Sequence, residues 1–171
     1  MATWAEFEAP APDLAAAAAE RWPGIVALHR GGPVPAGEPP FAIAYLATVR
    51  PDGSPRLDPF CPILADGRLC AAIPRRSPKG DDLRRDPRCV IHALPGPADD
   101  ELCLRARGEE VSGEPFRAAV HAVAVASGVG GMAQTTARDP LFSFDLRQVD
   151  VGHWVDVGQP GTHAVRRRWW A

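Results

Sequence analysis

The sequence lacks a strong excess of charge of either sign. Its 171 residues carry a formal net charge of −2, whereas nucleic-acid-binding domains usually display a basic face. It also lacks any apolar run near the roughly 20 residues that a helix needs to cross a bilayer. No basic segment followed by an apolar one opens the chain, so we expect no signal peptide. These absences predict a single cytoplasmic domain with its own core.

Familiar metal-binding and nucleophile motifs are missing as well. The four cysteines form no CxxC pair, and each lies in an apolar run, which predicts buried, reduced thiols rather than a zinc site. The five histidines are scattered, and neither HExxH nor GxSxG occurs. We therefore expect no metal, and the sequence identifies no catalytic side chain.

Lysine is nearly absent, and asparagine is absent altogether. Of the 19 basic residues only Lys79 is a lysine, in a sequence whose richness in Arg, Ala, Gly and Pro is typical of G+C-rich coding. A lysine in such a chain indicates a position that needs a compact ammonium group rather than a planar guanidinium.

The N-terminal part of the chain predicts helix followed by loop. Residues 3–22 show an amphipathic helical pattern that two prolines divide, and Thr3 with Glu6 forms a capping box at its start. Residues 23–40 are rich in Gly and Pro and predict a loop.

The remainder of the chain shows mostly a β pattern. Strands are predicted at 41–50, 56–64, 69–73, 89–94, 101–111, 141–146 and 149–157. Asp-Gly turns join the first three into an antiparallel meander, and Pro59 and Pro62 indicate an edge or a bulge in the second. Between these strands we predict a turn at 95–100, a loop at 128–138, and helices at 77–86 and 114–126. About seven short strands with flanking helices favour a barrel or sandwich.

The predicted helix at 77–86 begins with the features of a phosphate site. Ser77 is a good N-cap, and Pro78 suits the first helical position. Exposed backbone N–H groups, the Ser77 hydroxyl and the Lys79 ammonium together favour phosphate binding, and Arg75 and Arg76 flank them. An ordinary capped surface helix is the alternative interpretation.

At this point residues 42–112 resemble the FMN-binding split barrel of pyridoxamine 5′-phosphate oxidase and its relatives. The segments that carry the resemblance are LATVRPDGSPR, RLDPFCPIL, LCAAI and RRSPKGDDLRRDPR. The resemblance implies a mainly β fold, an antiparallel FMN-binding split barrel of six to seven strands with flanking helices, which forms a homodimer. Residues 1–40 would pack on the barrel formed by 41–171 within a single domain.

Residue roles follow from this resemblance position by position. It implies that Ser77, Lys79 and Arg56 bind the FMN phosphate, and Pro78 stands where many relatives have a second basic residue. It also implies that the flavin ring and ribityl chain lie along the backbone of Leu57, Asp58, Pro59, Phe60, Ala72 and Ile73.

Two further features of the predicted site concern charge and the second subunit. Asp58 is unexpected, because an anion beside the ring would disfavour reduced, anionic flavin. Since the family's flavin lies at the dimer interface, Trp154 and Arg168 are expected to reach it from the partner subunit, with Arg167 and Trp169 as further candidates. The alternative is that the C-terminal aromatic residues pack a terminal strand and that the arginines are solvated.

The resemblance implies a flavin-dependent oxidoreductase that acts on an unidentified small molecule, with FMN supplying the hydride chemistry. Two alternatives remain open. A deazaflavin-dependent reductase on the same fold would bind its acidic cofactor with Arg75, Arg76, Arg84 and Arg85. A non-enzymatic flavin- or haem-binding protein, or a barrel without a ligand, is favoured by Asp58 and Pro78.

Overall fold

The computed structural model describes residues 2–94 and 100–171. Six helices occur in this part of the chain: α1 (Trp4–Glu8), α2 (Pro12–Ala19), α3 (Pro23–His29), α4 (Pro78–Arg85), α5 (Glu114–Ala126) and α6 (Gly130–Arg138). Its eight strands are β1 (Ala44–Val49), β2 (Pro55–Phe60), β3 (Ile63–Ala65), β4 (Arg68–Ala72), β5 (Arg88–Ala93), β6 (Glu101–Val111), β7 (Leu141–Val155) and β8 (His163–Trp170). Most of the predicted 95–100 turn lies outside the described residues.

All eight strands belong to one antiparallel sheet, in the order β2-β1-β5-β6-β7-β4-β3 with β8 added to β7. Although β2 and β3 lie at opposite ends of this order, only Cys61 and Pro62 separate them in sequence. This link spans at most about 11 Å, whereas the outer strands of a flat seven-stranded sheet would be about 29 Å apart. The sheet therefore curls into a half-barrel, which confirms the mainly β split-barrel prediction.

The prediction of one strand at 56–64 within a three-stranded meander was wrong. The segment divides into β2, which pairs with β1, and β3, which pairs with β4. Pro59 lies on the outermost strand, where a missing N–H is tolerated, and Pro62 lies at the break. The second predicted Asp-Gly turn is confirmed, because Asp66 and Gly67 have φ angles of 50° and 68°, as two-residue hairpin turns require.

Two segments predicted as loops are partly helical. Within 23–40 the structure forms α3, in which Ile25 and Val26 are buried. Within 128–138 it forms α6, in which Met132 is buried beside α5. Short helices gain most of their stability from a buried face, so packing overrides the glycine and proline content of both segments.

The strands predicted at 141–146 and 149–157 form one continuous strand, β7. It pairs with β6 from Leu141 to Gly152, with β4 along its first part and with β8 along its second. Arg105 pairs with Gln148 but Ala106 pairs with Leu146, so the intervening Arg147 is the extra residue of a β-bulge. β7 remains continuous because the bulge accommodates the one-residue shift in its register with β6.

The core fills the curled sheet and continues under the N-terminal helices. The Trp4 and Phe7 rings are 5.4 Å apart, and Phe7 is also 5.4 Å from Trp169, which fixes α1 against β8. The predicted capping box of Thr3 and Glu6 is present. A second, smaller cluster packs α5 and α6 onto β3 and β4. No helix in the described residues is long and apolar enough to cross a membrane.

A buried carboxylate attaches α4 to the β1–β2 hairpin. Asp82 is only 3% exposed and accepts hydrogen bonds from the Thr48 hydroxyl at 2.9 Å and from Arg56 Nε at 2.7 Å. Arg85 Nη2 lies 3.8 Å from its other oxygen. A buried carboxylate is costly unless it is paired and hydrogen-bonded, so these partners fix the position of α4 against both strands.

Replacing Asp82 by Ala should lower the free energy of unfolding by about 2–4 kcal/mol, because Arg56 and Thr48 lose their acceptor. Urea unfolding followed by tryptophan fluorescence measures this change. Asp81→Ala is the matched control, since Asp81 is an exposed carboxylate on the same helix and its surface ion pair is worth less than about 1 kcal/mol. Equal losses in the two variants would contradict the role of Asp82.

Candidate functional site

The start of α4 lies against the end of β2. The Lys79 ammonium donates a hydrogen bond to the Pro59 carbonyl at 2.6 Å, although 20 residues separate them in sequence. This hydrogen bond brings two parts of the predicted site into contact: the lysine assigned to the phosphate and the strand assigned to the flavin ring. We call the polar residues around this contact the α4 cluster: Arg56, Asp58, Cys61, Ser77 and Lys79.

Lys79 is a half-buried cation with an anionic neighbour. Burial lowers the pKa of its ammonium below the ordinary lysine value, and the nearby Asp58 and Cys61 act in the opposite direction. A partly desolvated ammonium attracts an anion more strongly than a fully hydrated one. Asp58, which is unexpected beside a flavin ring, therefore also acts as a counter-charge to Lys79.

The N-cap of α4 carries a hydroxyl that makes no capping hydrogen bond, and the first helical residue has no N–H donor. Ser77 occupies the N-cap position as predicted, but its hydroxyl makes no capping hydrogen bond. Its N–H donates to the Pro74 carbonyl at 2.8 Å, and Pro78, which has no N–H, follows. A ligand phosphate at this end of α4 would therefore contact the Ser77 hydroxyl and the Lys79 ammonium.

Arg56 is already bound by the protein itself. Its hydrogen bond to Asp82 raises the pKa of the guanidinium above the ordinary arginine value. The resemblance implies that Arg56 contacts the cofactor phosphate. Because Nε is taken up by Asp82, such a contact would have to use the Nη groups, and Asp82 would orient them.

The remaining predicted ring and ribityl contacts differ in accessibility. Leu57 is 62% exposed, whereas Phe60 and Ile73 are buried in the core. The Ile73 N–H already donates to the Pro140 carbonyl at 3.0 Å, and Ala72 is half-buried. Leu57 and Pro59 are therefore exposed, and Asp58 and Ala72 are half-buried, in this part of the site.

Trp154 and Arg168 belong to the β7–β8 hairpin. Trp154 is 38% exposed, and Arg168 pairs with Asp150 and lies over the Trp170 ring at 5.3 Å. Among the described residues no hydrogen bond, ion pair or ring contact joins either side chain to the α4 cluster. The expectation that they contact the cofactor from a partner subunit stays a prediction.

The prediction that all four thiols are buried was wrong for two of them, because Cys61 is exposed and Cys103 is partly exposed. Cys70 and Cys89 are buried, and burial raises the pKa of Cys89 to about 12. Cys61 is exposed because it lies in the link between β2 and β3 rather than on the inner face of a strand. Its pKa is raised by partial burial, against the influence of Lys79. The described residues contain no cluster of His, Cys, Asp and Glu suited to a metal.

Sequence reasoning missed a cavity of about 910 Å³ on the outer face of the sheet. No predicted cofactor-binding residue lines it. We call it the arginine cavity, because four of its lining residues are Arg88, Arg105, Arg107 and Arg147. Its residues come from separate strands and form no motif. The alternation of arginine at 105 and 107 was the one local signal, since residues two apart share a face of a strand.

Comparison with known proteins identifies the fold. The sequence matches no protein-family profile and no curated protein. Its structure is similar to that of a haem-binding protein from Mycobacterium smegmatis, with 20% sequence identity and a TM-score of 0.57. That match covers 86% of this chain and 57% of the mycobacterial chain, so this chain spans little more than half of that protein.

Two further solved structures are similar. One is HutZ, the haem storage protein from Vibrio cholerae, with 15% identity, a TM-score of 0.53, and 73% of this chain and 86% of that chain covered. The other is a proposed pyridoxamine 5′-phosphate oxidase from Listeria innocua, with 16% identity, a TM-score of 0.53, and 74% and 94% covered. At these identities the comparisons show the fold alone. The chain has the split-barrel fold of the pyridoxamine 5′-phosphate oxidase-like proteins.

Proposed function

We propose that the chain is a cytoplasmic FMN-binding protein that works as an oxidoreductase on an unidentified small molecule. The observation that supports this proposal is the 2.6 Å contact between the Lys79 ammonium and the Pro59 carbonyl. It places the only lysine of the sequence, at the start of α4, beside the strand that the resemblance assigns to the flavin ring. The Ser77 hydroxyl, which makes no capping hydrogen bond, would complete a pair of phosphate donors.

The residues present fit a flavin phosphate. Lys79 and Arg56 would supply positive charge, and the Ser77 hydroxyl would donate a hydrogen bond. Asp82 would hold the Arg56 guanidinium in a fixed orientation, so that less side-chain freedom is lost when the phosphate binds. FMN, once bound, would supply the hydride chemistry, and the exposed backbone of β2 would lie beside its ring.

Haem binding is a second candidate function. Two of the similar structures are a haem-binding and a haem storage protein. In this chain the exposed Cys61 of the α4 cluster carries a side chain that can coordinate haem iron as thiolate. An absorbance spectrum of the purified protein after addition of FMN or haem distinguishes the two candidates.

A deazaflavin reductase receives less support from the side-chain contacts. Arg84 is bonded to Glu110 and Asp81 at 2.6 and 2.8 Å. Arg85 donates to the Val49 carbonyl. Two of the four arginines proposed for the acidic cofactor are therefore engaged within the protein, and Arg75 and Arg76 are left as exposed cations.

Replacing Lys79 by Ala should weaken FMN binding by about 1.5–3 kcal/mol, the usual contribution of a hydrogen bond to a charged group. Titration of FMN fluorescence at fixed ionic strength measures the dissociation constant. Arg138→Ala removes an exposed cation from the end of α6 and should leave the affinity unchanged. An unchanged affinity in Lys79→Ala would remove Lys79 from the site.

Bound FMN should slow alkylation of Cys61 by iodoacetamide, because the thiol lies in the α4 cluster. The rate is measured by mass spectrometry of the Cys61 peptide with and without FMN. Cys103 provides an internal control, since it lies on β6, is partly exposed and, like Cys61, has a thiol pKa that burial raises. Equal rates at Cys61 with and without FMN would place the flavin elsewhere.

We also propose that the chain forms a homodimer with the cofactor at the interface. Large apolar side chains are exposed on the sheet, among them Tyr45 at 40% and Leu57 at 62%. Light scattering should give twice the chain mass of 18.3 kDa. A monomer that binds FMN as tightly as the dimer does would contradict a cofactor site at the dimer interface.

A further inference from the structure

The arginine cavity lies on the outer face of β5 and β6. Along these strands Cys89, Ile91 and Leu104 point into the core, whereas the alternate residues Arg88 and Arg105 are exposed. The apolar side chains that line the cavity on this face are those of Ala47, Val49, Pro55 and Val90. A volume of about 910 Å³ is in the range of sites that hold small organic ligands.

Positive charge in this cavity is only partly balanced. Arg88 and Arg107 are direct cross-strand partners, and like charges directly opposite each other destabilise a sheet. Asp86 pairs with Arg88 at 2.6 Å and Asp145 with Arg147 at 2.5 Å. Within residues 2–94 and 100–171, neither Arg105 nor Arg107 has a salt bridge. Asp145 is also the cross-strand partner of Arg107, so the four arginines of the cavity face two carboxylates. The cavity therefore holds a net positive charge in a chain whose net charge is negative.

The bulge in β7 adds a further arginine to the cavity, and this observation does not depend on the pairing of β5 with β6. Arg147 is the extra residue at the bulge, is exposed, and lines the cavity. A regular strand at this point would place successive side chains on alternate faces. Bulges re-aim single side chains and are frequent beside active sites. Here the bulge brings a fourth guanidinium group to the cavity.

From these observations we propose that the arginine cavity binds an organic anion: a carboxylate, sulfonate or phosphate ester attached to an apolar body. The two unpaired guanidinium groups would bind the anionic group, because guanidinium forms paired, charge-assisted hydrogen bonds to such oxygens. The apolar side chains that line the cavity would bury the body of the ligand.

The homodimer surface proposed above adjoins the cavity, since Leu57 is the cross-strand partner of Ala47, but charge argues against the same cavity of a second copy as its occupant. A two-fold contact brings identical patches together, and here it would oppose the arginines of one cavity to those of the other. A small anion neutralises the same charges without repulsion.

This anion site is separate from the α4 cluster and does not depend on the proposed flavin site. Thr48 borders the cavity and also donates its hydroxyl to Asp82, so the two sites are neighbours across β1. Variants in each site therefore distinguish the two proposals: Arg105 and Arg107 belong to the cavity, and Lys79 belongs to the flavin site.

The test uses 8-anilinonaphthalene-1-sulfonate, an aromatic sulfonate, as the fluorescent probe on the full chain at low salt. We expect saturable binding to the folded protein and a rise of about tenfold or more in the dissociation constant for the double variant Arg105→Gln/Arg107→Gln. Added salt should weaken the binding. The uncharged analogue N-phenyl-1-naphthylamine should bind the double variant and the wild type equally.

Arg138→Gln and Lys79→Ala are the controls, and both should bind the probe as the wild type does. Because Arg105 and Arg107 are surface residues, the thermal unfolding midpoint reports whether the double variant keeps its fold. Three outcomes would overturn the proposal: no saturable binding to the wild type, an unchanged constant in the folded double variant, or weaker binding in Lys79→Ala. Self-association that the probe disrupts and the double variant abolishes would instead identify the face as an interface between copies.

Discussion

The two-residue link between β2 and β3 is the constraint on which the rest of the structure depends. Because Cys61 and Pro62 join the opposite ends of the strand order, the sheet cannot remain flat and must enclose its core. Closure leaves the outer face of β1, β5 and β6 accessible and places the end of β2 beside the start of α4. Both sites proposed for this chain follow from that geometry.

Asp82 connects this architecture to the candidate site. The carboxylate is buried and holds both the hairpin residue Thr48 and the cation Arg56. The same bonds that fix α4 against the sheet therefore set the orientation of a residue expected to contact phosphate. The Asp82 carboxylate therefore contributes both to the stability of the fold and to the orientation of a residue at the proposed phosphate site.

The two proposed sites differ in how they are built. The α4 cluster combines residues of β2 and its following link with residues at one helix start, all within positions 56 to 79. The arginine cavity combines side chains of β5, β6 and a bulge in β7, which only the sheet brings together. A local motif can reveal the first kind of site, whereas the second has no sequence signature beyond the alternation of Arg105 and Arg107.

The sequence by itself determined several local elements and the helix start at which the candidate site lies. Asp-Gly pairs specified the hairpin turns, the 101–111 and 114–126 patterns gave β6 and α5, and Ser77 with Lys79 marked the start of α4. Only the tertiary structure decided that 56–64 divides between two sheet edges, that α3 and α6 are helical, and that Cys61 is exposed. These features depend on which surfaces become buried against each other, and burial is a property of the folded chain rather than of any short segment.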